Sequence, residues 1–123
     1  IHTPLTDETR GMVDMNFLNK MKNGSSLYNT SRGEIVVMRD LYNALKKNKL
    51  KWVGLDVLET EPLDNKHKLV QAWQQNEDWI KNRLVITPHA AFYNKESYEE
   101  MRIKAAKELK RILEHKKPRN RVN

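Results

Sequence analysis

The sequence predicts an α/β fold in which a parallel sheet is covered by helices. First, short apolar segments typical of strands alternate along the 123 residues with amphipathic segments long enough to be crossover helices. Second, three of the apolar segments are followed directly by polar segments, as in α/β proteins, where functional loops follow the carboxyl ends of strands. Third, this length suits one modest domain and is too short for two.

The first half of the chain is predicted to contain two helices and three extended segments. "IHTP" (1–4) resembles the end of a strand, and Thr6 or Asp7 can open a helical turn. A helix is predicted over 15–22, capped by Asp14 and ended by Asn23-Gly24. The remaining predicted elements are a strand at 25–30, a turn at 31–33, a short extended segment at 34–37 and a helix at 38–49 with an apolar stripe of Leu41, Ala44 and Leu45.

The second half is predicted to continue the alternation. "KWVGLDV" (51–57) indicates a buried strand, and "LVITP" (84–88) indicates another. The intervening residues 65–83 are mostly polar, so we expect a partly helical excursion that adds little to the core. Residues 94–117 form the longest predicted helix, followed by a tail at 118–123. Its expected apolar face consists of Tyr98, Met101, Ile103, Ala105, Ala106, Leu109 and Ile112.

The formal net charge of +7 comes largely from the last predicted helix and the tail. We interpret these cations as a solvated helix face, because nucleic-acid binding normally adds interleaved aromatic residues or a reading motif. No apolar run approaches the roughly 18 residues of a transmembrane helix, and the first residues lack the features of a signal peptide. The absence of Cys excludes thiolate metal sites and is compatible with a reducing compartment. We therefore expect a cytoplasmic protein that binds neither a membrane nor a metal ion.

The three polar loops together contain the groups needed to reduce a 2-keto acid. Arg32 can hold a substrate carboxylate with two hydrogen bonds. His89 beside a carboxylate is suited to acid–base catalysis, and Glu61 or Glu59 could supply that carboxylate. Hydride transfer would in addition require a nicotinamide cofactor, because no side chain can donate hydride.

Each of these residues also has a structural interpretation. Arg32 precedes a glycine and could be an ordinary turn residue with a surface charge. Asp56 could cap the loop that follows its strand, and His89 taken alone is more often structural than catalytic. The other histidines lie in the first loop, the excursion and the basic tail, and we treat them as background: His2, His67 and His115.

Five ordered blocks resemble the C-terminal part of the NAD-dependent D-2-hydroxyacid dehydrogenase family. They are "HTPLTDETRGMV", "FLNKMKNGSSLYNTSRGEIV", "LYNALKKNKL", "GLDVLETEPL" and "LVITPHAAFY". The resemblance implies that residues 1–94 are the C-terminal half of a Rossmann-type NAD-binding domain, followed by a long basic helix and tail at 95–123. The Pro-His-Ala-Ala-Phe-Tyr run is most similar to the C-terminal-binding protein, or corepressor-like, branch of the family.

The resemblance also implies roles for individual residues. Arg32 would bind the substrate carboxylate and carbonyl, His89 would be the general acid/base, and Glu61 rather than Glu59 would support His89. Phe92 would form a wall of the substrate pocket. The residues implied in cofactor binding are Thr3, Thr6, Thr9, Thr30, Ser31, Arg32, Asp56, His89, Ala90 and Ala91.

The sequence departs from the family pattern in three ways. It contains no GxGxxG phosphate loop, the excursion at 65–83 is longer than usual, and Val37 replaces a common capping Asp. We therefore expect the chain to be the C-terminal portion of a longer, homodimeric enzyme and to be inactive alone. NAD is the expected cofactor, with NADP as its alternative, and a small 2-hydroxy or 2-keto acid is the expected substrate. The alternative function is an NAD(H)-sensing, corepressor-like interaction protein without turnover.

Overall fold

The computed structural model describes residues 1–119, which form a three-stranded sheet and four α-helices. The chain divides into two compact units, residues 1–89 and the part that begins at Ala90. The predicted tail at 118–123 lies largely outside the described residues. In chain order the elements are α1 (Met15–Lys20), β1 (Ser25–Asn29), a 3-10 helix (Gly33–Ile35), α2 (Met38–Lys46), β2 (Leu50–Leu55), α3 (Lys68–Gln74), β3 (Leu84–Ile86) and α4 (Lys95–Leu113).

The three strands are parallel, in the order β1-β2-β3. Asn29 is paired with Leu55, and Leu55 is paired with Ile86, so the carboxyl ends of all three strands lie at the same level. The loops that follow the strands therefore leave the sheet from one edge. The predicted parallel α/β arrangement is confirmed.

The sequence explains where several helices begin and end. Asp14 accepts a hydrogen bond from the Phe17 N–H and caps α1, as predicted. Gly24, after this helix, has a φ of +78°, a conformation that glycine adopts without strain. At α2 the capping position holds Val37, which offers no side-chain cap. Asp40, in the first turn of α2, instead accepts a hydrogen bond from the Met15 N–H and links this helix to α1.

The excursion at 65–83 belongs to the core, which corrects the prediction. Leu69, Val70 and Ile80 are almost completely buried, and helix α3 contacts α2. The apolar residues of this segment are few, but the short helix presents them on one side. Because most residues of this segment are polar, its sequence did not indicate that one face of α3 is buried.

Two other local predictions are wrong. Residues 1–4 have no regular secondary structure, although the Ile1 nitrogen donates to the Tyr28 carbonyl. The predicted extended segment at 34–37 begins instead with the 3-10 helix, and only Val36 makes an isolated parallel bridge, to Val13. Three consecutive β-branched residues favoured an extended backbone, which Val36 and Val37 adopt, but the turn that begins at Gly33 determines the structure before them.

Arg83 is a structural residue that the sequence did not reveal. Its guanidinium donates to the carbonyl groups of Leu45, Leu50, Lys51 and Trp79 and to the Asn48 side chain. These acceptors lie at the end of α2, at the start of β2 and in the segment before β3. One side chain thus ties together three parts of the first unit.

In the second unit, α4 is confirmed as the longest helix, and Asn94 caps it by accepting a hydrogen bond from the Ser97 N–H. None of its residues is buried; within the predicted apolar face Tyr98 is half-buried and the other residues are exposed. No helix within residues 1–119 is long and apolar enough to cross a membrane.

Candidate active site

Asn29 organises the loop after β1 and was not identified from the sequence. It is fully buried, its side-chain amide donates to the Arg32 carbonyl at 2.8 Å, and its side-chain oxygen accepts from the N–H and hydroxyl of Ser31. The sequence feature that could have identified Asn29 is a polar residue at the end of a buried strand. The Arg32 guanidinium donates to the Ser31 carbonyl at 2.7 Å. Asn29 therefore fixes the backbone from which Arg32 projects.

Gly33 brings the loop after β1 into direct contact with the loop after β2. A Cβ atom at this position would lie 1.9 Å from the Leu58 carbonyl carbon and 2.0 Å from its oxygen. Those are backbone atoms, so no side-chain rotation could relieve the clash. Only glycine allows this approach, which sets the spacing between Arg32 and the loop that carries Glu61.

Asp56 lies at the junction of all three loops. Its backbone N–H donates to the Asn29 carbonyl and its own carbonyl accepts from the His89 N–H, both at 2.9 Å. Its carboxylate is buried and accepts a hydrogen bond from the Thr87 hydroxyl. The residue is therefore held by main-chain bonds to the loops on both sides of β2.

Glu61 is the loop carboxylate that contacts His89. Its Oε2 lies 2.8 Å from Nδ1 of His89, and its Oε1 accepts the Leu58 N–H at 3.0 Å. Burial raises the pKa of Glu61, but the hydrogen bond with His89, the Leu58 N–H and the imidazole charge outweigh burial and the opposing charge of Asp56. The pKa of Glu61 therefore lies below its ordinary value of 4.5. An ionised carboxylate only accepts, so Nδ1 carries the proton of this hydrogen bond.

The backbone of His89 is held in an unusual conformation. Its φ is +52°, in the left-handed region that is uncommon for residues other than glycine, although Asn, Asp and His adopt it more often than the rest. Its N–H donates to the carbonyls of Asp56 and Thr87, which keep it there.

An open groove of about 390 Å³ connects Arg32 with the His89–Glu61 pair. Glu59 and Thr60 also line it. Arg32 lines one side of the groove and His89 lines another. The loops after β1, β2 and β3 all contribute to it. The structure thus brings Arg32, Glu61 and His89 to one cavity.

The other predicted site residues belong to the first loop, to the position after β1 and to the second unit. Thr6 and Thr9 share hydrogen bonds within the first loop, and the Thr30 hydroxyl lies 3.4 Å from Nδ1 of His2. The second unit contains the rest of the predicted set: Ala90, Ala91 and Phe92, of which Phe92 is 50% exposed. Thr3 is exposed in the first loop. Among residues 1–119, no group of three His, Cys, Asp or Glu side chains could hold a metal ion.

Comparisons with known proteins define the class of this domain. Residues 1–91 match the model of the D-isomer specific 2-hydroxyacid dehydrogenase, NAD binding domain. Over 123 residues the chain is 39% identical to glyoxylate reductase from Aeropyrum pernix and 37% identical to hydroxypyruvate reductase from Blautia hydrogenotrophica. It covers 34% and 35% of those proteins and so spans about a third of the length of the curated relatives it matches.

A solved structure shows the same fold. The D-isomer specific 2-hydroxyacid dehydrogenase from Lactobacillus delbrueckii ssp. bulgaricus, in its NAD-complexed form, matches with a TM-score of 0.77 and 32% sequence identity. The match covers 99% of this chain and 38% of that one. Fold and comparisons therefore define a Rossmann-type NAD-binding domain. The chain belongs to the D-isomer specific 2-hydroxyacid dehydrogenase family, which confirms the family predicted from the sequence.

Proposed function

We propose that this chain is the catalytic part of an oxidoreductase that transfers hydride between NAD(H) and a small 2-hydroxy or 2-keto acid. The observation that carries the proposal is the 2.8 Å contact between Nδ1 of His89 and Glu61, at the groove that Arg32 also lines. The family match and the reductase relatives support it.

Each of the three residues has a distinct proposed role. Arg32 binds the substrate carboxylate through a two-pronged guanidinium contact, because a planar guanidinium matches a planar carboxylate. His89 gives its proton to the carbonyl oxygen during reduction and takes one back during oxidation. Glu61 holds Nδ1 protonated and directs Nε2 toward the substrate, so it is a positioning residue.

The residues of the first unit fit the nicotinamide end of NAD(H). The buried Asp56 carboxylate is an acceptor for the carboxamide N–H groups, and the backbone of Thr30 and Ser31 continues β1 at the same edge of the sheet. The first loop adds the hydroxyl groups of Thr3, Thr6 and Thr9, proposed for the adenosine-to-pyrophosphate side. When bound, the reduced cofactor supplies the hydride. NADP is the alternative cofactor.

Several finer proposals accompany this function. We propose that residues 1–94 complete an NAD-binding domain whose phosphate loop lies outside these residues, that the isolated chain does not turn over, and that the full-length protein is a cytoplasmic homodimer. Ala90 and Ala91 beside the cofactor and Phe92 in the substrate pocket are also proposals from the resemblance. The corepressor-like branch and its non-catalytic function rest on the Pro-His-Ala-Ala-Phe-Tyr run and the basic tail, so we favour the enzyme.

The experiment that tests the proposal compares two histidines with similar backbones. His89 and His115 have φ values of +52° and +56°, and Asn tolerates that region. In the full-length protein, His89→Asn should lower kcat for keto-acid reduction by about 10²–10⁴-fold, the usual contribution of a general acid. His115→Asn, at the end of α4, should leave it unchanged. Undiminished reduction by His89→Asn, followed as NADH oxidation, would exclude the proton-carrier role.

A further inference from the structure

Thr87, the residue that follows β3, makes hydrogen bonds with all three of its polar groups. Its N–H donates to the Leu55 carbonyl at 2.9 Å and so continues the pairing of β3 with β2. Its carbonyl accepts the N–H of His89 at 3.0 Å, and its hydroxyl donates to the carboxylate of Asp56. One residue therefore contacts both the backbone of the proposed proton donor and the Asp56 side chain.

The local sequence leaves the Thr87 hydroxyl little freedom. The residue precedes Pro88, and the residue before a proline is restricted to extended backbone. Thr is also branched at Cβ, which limits rotation about χ1. The bond from its N–H to Leu55 keeps this backbone in register with β2. The hydroxyl is therefore held toward Asp56 by the Thr-Pro sequence as well as by the sheet.

The carboxylate of Asp56 needs a fixed donor because the residue is only 5% exposed. Burying a carboxylate costs free energy unless hydrogen-bond donors replace water, and bonds to charged groups are the stronger ones. The backbone of Asp56 is held by the Asn29 carbonyl and the His89 N–H. Those two bonds do not fix the rotation of the Asp56 side chain, whereas the Thr87 hydroxyl does.

We propose that Thr87 is a positioning residue for the cofactor. Its hydroxyl sets the orientation of the Asp56 carboxylate and, through it, the orientation of the nicotinamide relative to His89. The inference rests on the proposed function, in which Asp56 accepts the N–H groups of the nicotinamide carboxamide. Reduction delivers hydride to the carbonyl carbon and a proton to the carbonyl oxygen of one substrate. Thr87, which holds both Asp56 and His89, aligns the two donors with each other.

The test replaces Thr87 with Val in the full-length protein. Val has nearly the same shape and is also β-branched, but it has no hydroxyl to donate to Asp56. A misplacement of about 1 Å can lower catalysis about 100-fold, so kcat for glyoxylate reduction with NADH should fall about 10–100-fold. Thr87→Ser keeps the hydroxyl and should keep most of the wild-type kcat.

A cofactor analogue distinguishes this role from general support of the site. In the 3-acetylpyridine analogue of NADH an acetyl group replaces the carboxamide, so the ring offers no N–H to Asp56. With this analogue, Thr87→Val and the wild type should therefore have similar kcat values.

Ser25→Ala is the matched control for the loss of a hydroxyl. Ser25 lies at the amino end of β1, and its hydroxyl donates to the Lys22 carbonyl at 2.6 Å. This variant should lower the melting temperature slightly and leave kcat unchanged with both cofactors.

The outcomes separate this proposal from the proposed function. An undiminished kcat of Thr87→Val with NADH would overturn the positioning role and leave the dehydrogenase function standing. Equal losses with NADH and with the analogue would overturn it too, because Thr87 would then support the site without acting on the carboxamide. If Thr87→Val does not fold, Thr87→Ala is compared with the two cofactors in the same way. A wild-type protein that reduces no keto acid with NADH or NADPH would refute the proposed function itself.

Discussion

Gly33→Ala tests whether the loops after β1 and β2 must touch for the site to form. The added Cβ would begin 1.9 Å from the Leu58 carbonyl carbon and 2.5 Å from the Glu59 nitrogen, and all of its near neighbours are backbone atoms. The loop must therefore move by more than about 1 Å, a displacement that can lower catalysis about 100-fold. Leu58 moves with the loop, and its N–H holds Oε1 of Glu61.

We expect kcat to fall by more than the lower stability of the variant can account for. Overpacking at one site costs about 1–3 kcal/mol, so the full-length variant should still fold but with a lower melting temperature. Steady-state reduction of a keto acid and thermal unfolding measure the two effects. A variant with wild-type kcat would refute the argument that this contact positions Glu61 and His89.

Gly54→Ala is the matched control. A Cβ there would lie 2.7 Å from a ring carbon of Tyr28, a side chain that is 57% exposed and can turn away. We expect a modest loss of stability and a wild-type kcat. Equal losses of kcat in both glycine variants would show that Gly33 acts only through general packing.

The remaining predictions concern Glu61 and Arg83. Glu61→Gln should lower kcat for keto-acid reduction, because a neutral amide no longer fixes the Nδ1 proton of His89 as the carboxylate does; Glu59→Gln should not, and steady-state kinetics distinguish them. Because the pKa of Glu61 is lowered on folding, its stabilising contribution is present above the ordinary value of 4.5 and is lost as the pH falls through the folded pKa. Melting temperatures should therefore decline less in this acid range in Glu61→Gln than in the wild type. Arg83→Met leaves several carbonyl groups without their donor and should lower the free energy of unfolding, measured with urea, by about 2–4 kcal/mol. The side chain of Arg39 is 81% exposed, so Arg39→Met should lower the free energy of unfolding by only about 0–1 kcal/mol.

The position of the site could be predicted because it follows from the alternation of strands and helices. Parallel strands place their carboxyl ends at one edge, and the register confirms that Asn29, Leu55 and Ile86 end level. Polar residues directly after those strands were therefore expected to converge. The choice between Glu59 and Glu61 could not be made from spacing, because it depends on the path of the loop; the resemblance favoured Glu61, and the structure places Glu61 against His89.

Other features depended on contacts between residues far apart in the sequence. The role of Arg83 could not be predicted from the sequence, because its partners at Leu45, Leu50 and Asn48 become neighbours only in the fold. The buried face of α3 was missed because only a few of its residues are apolar. The amphipathic pattern of α4 correctly predicted a helix, but a pattern does not specify what its apolar face contacts.

The most direct test of the central claim is a double-mutant cycle of Arg32→Gln and His89→Asn in the full-length protein, measured as kcat/KM for keto-acid reduction. If Arg32 holds the carboxylate of the same keto acid whose carbonyl oxygen His89 protonates, their effects are coupled. The double variant should then be little worse than the more damaged single variant, with a coupling free energy of about 1–3 kcal/mol. Losses that simply multiply would show that Arg32 and His89 act independently, and would contradict a single site built from the three strand-end loops.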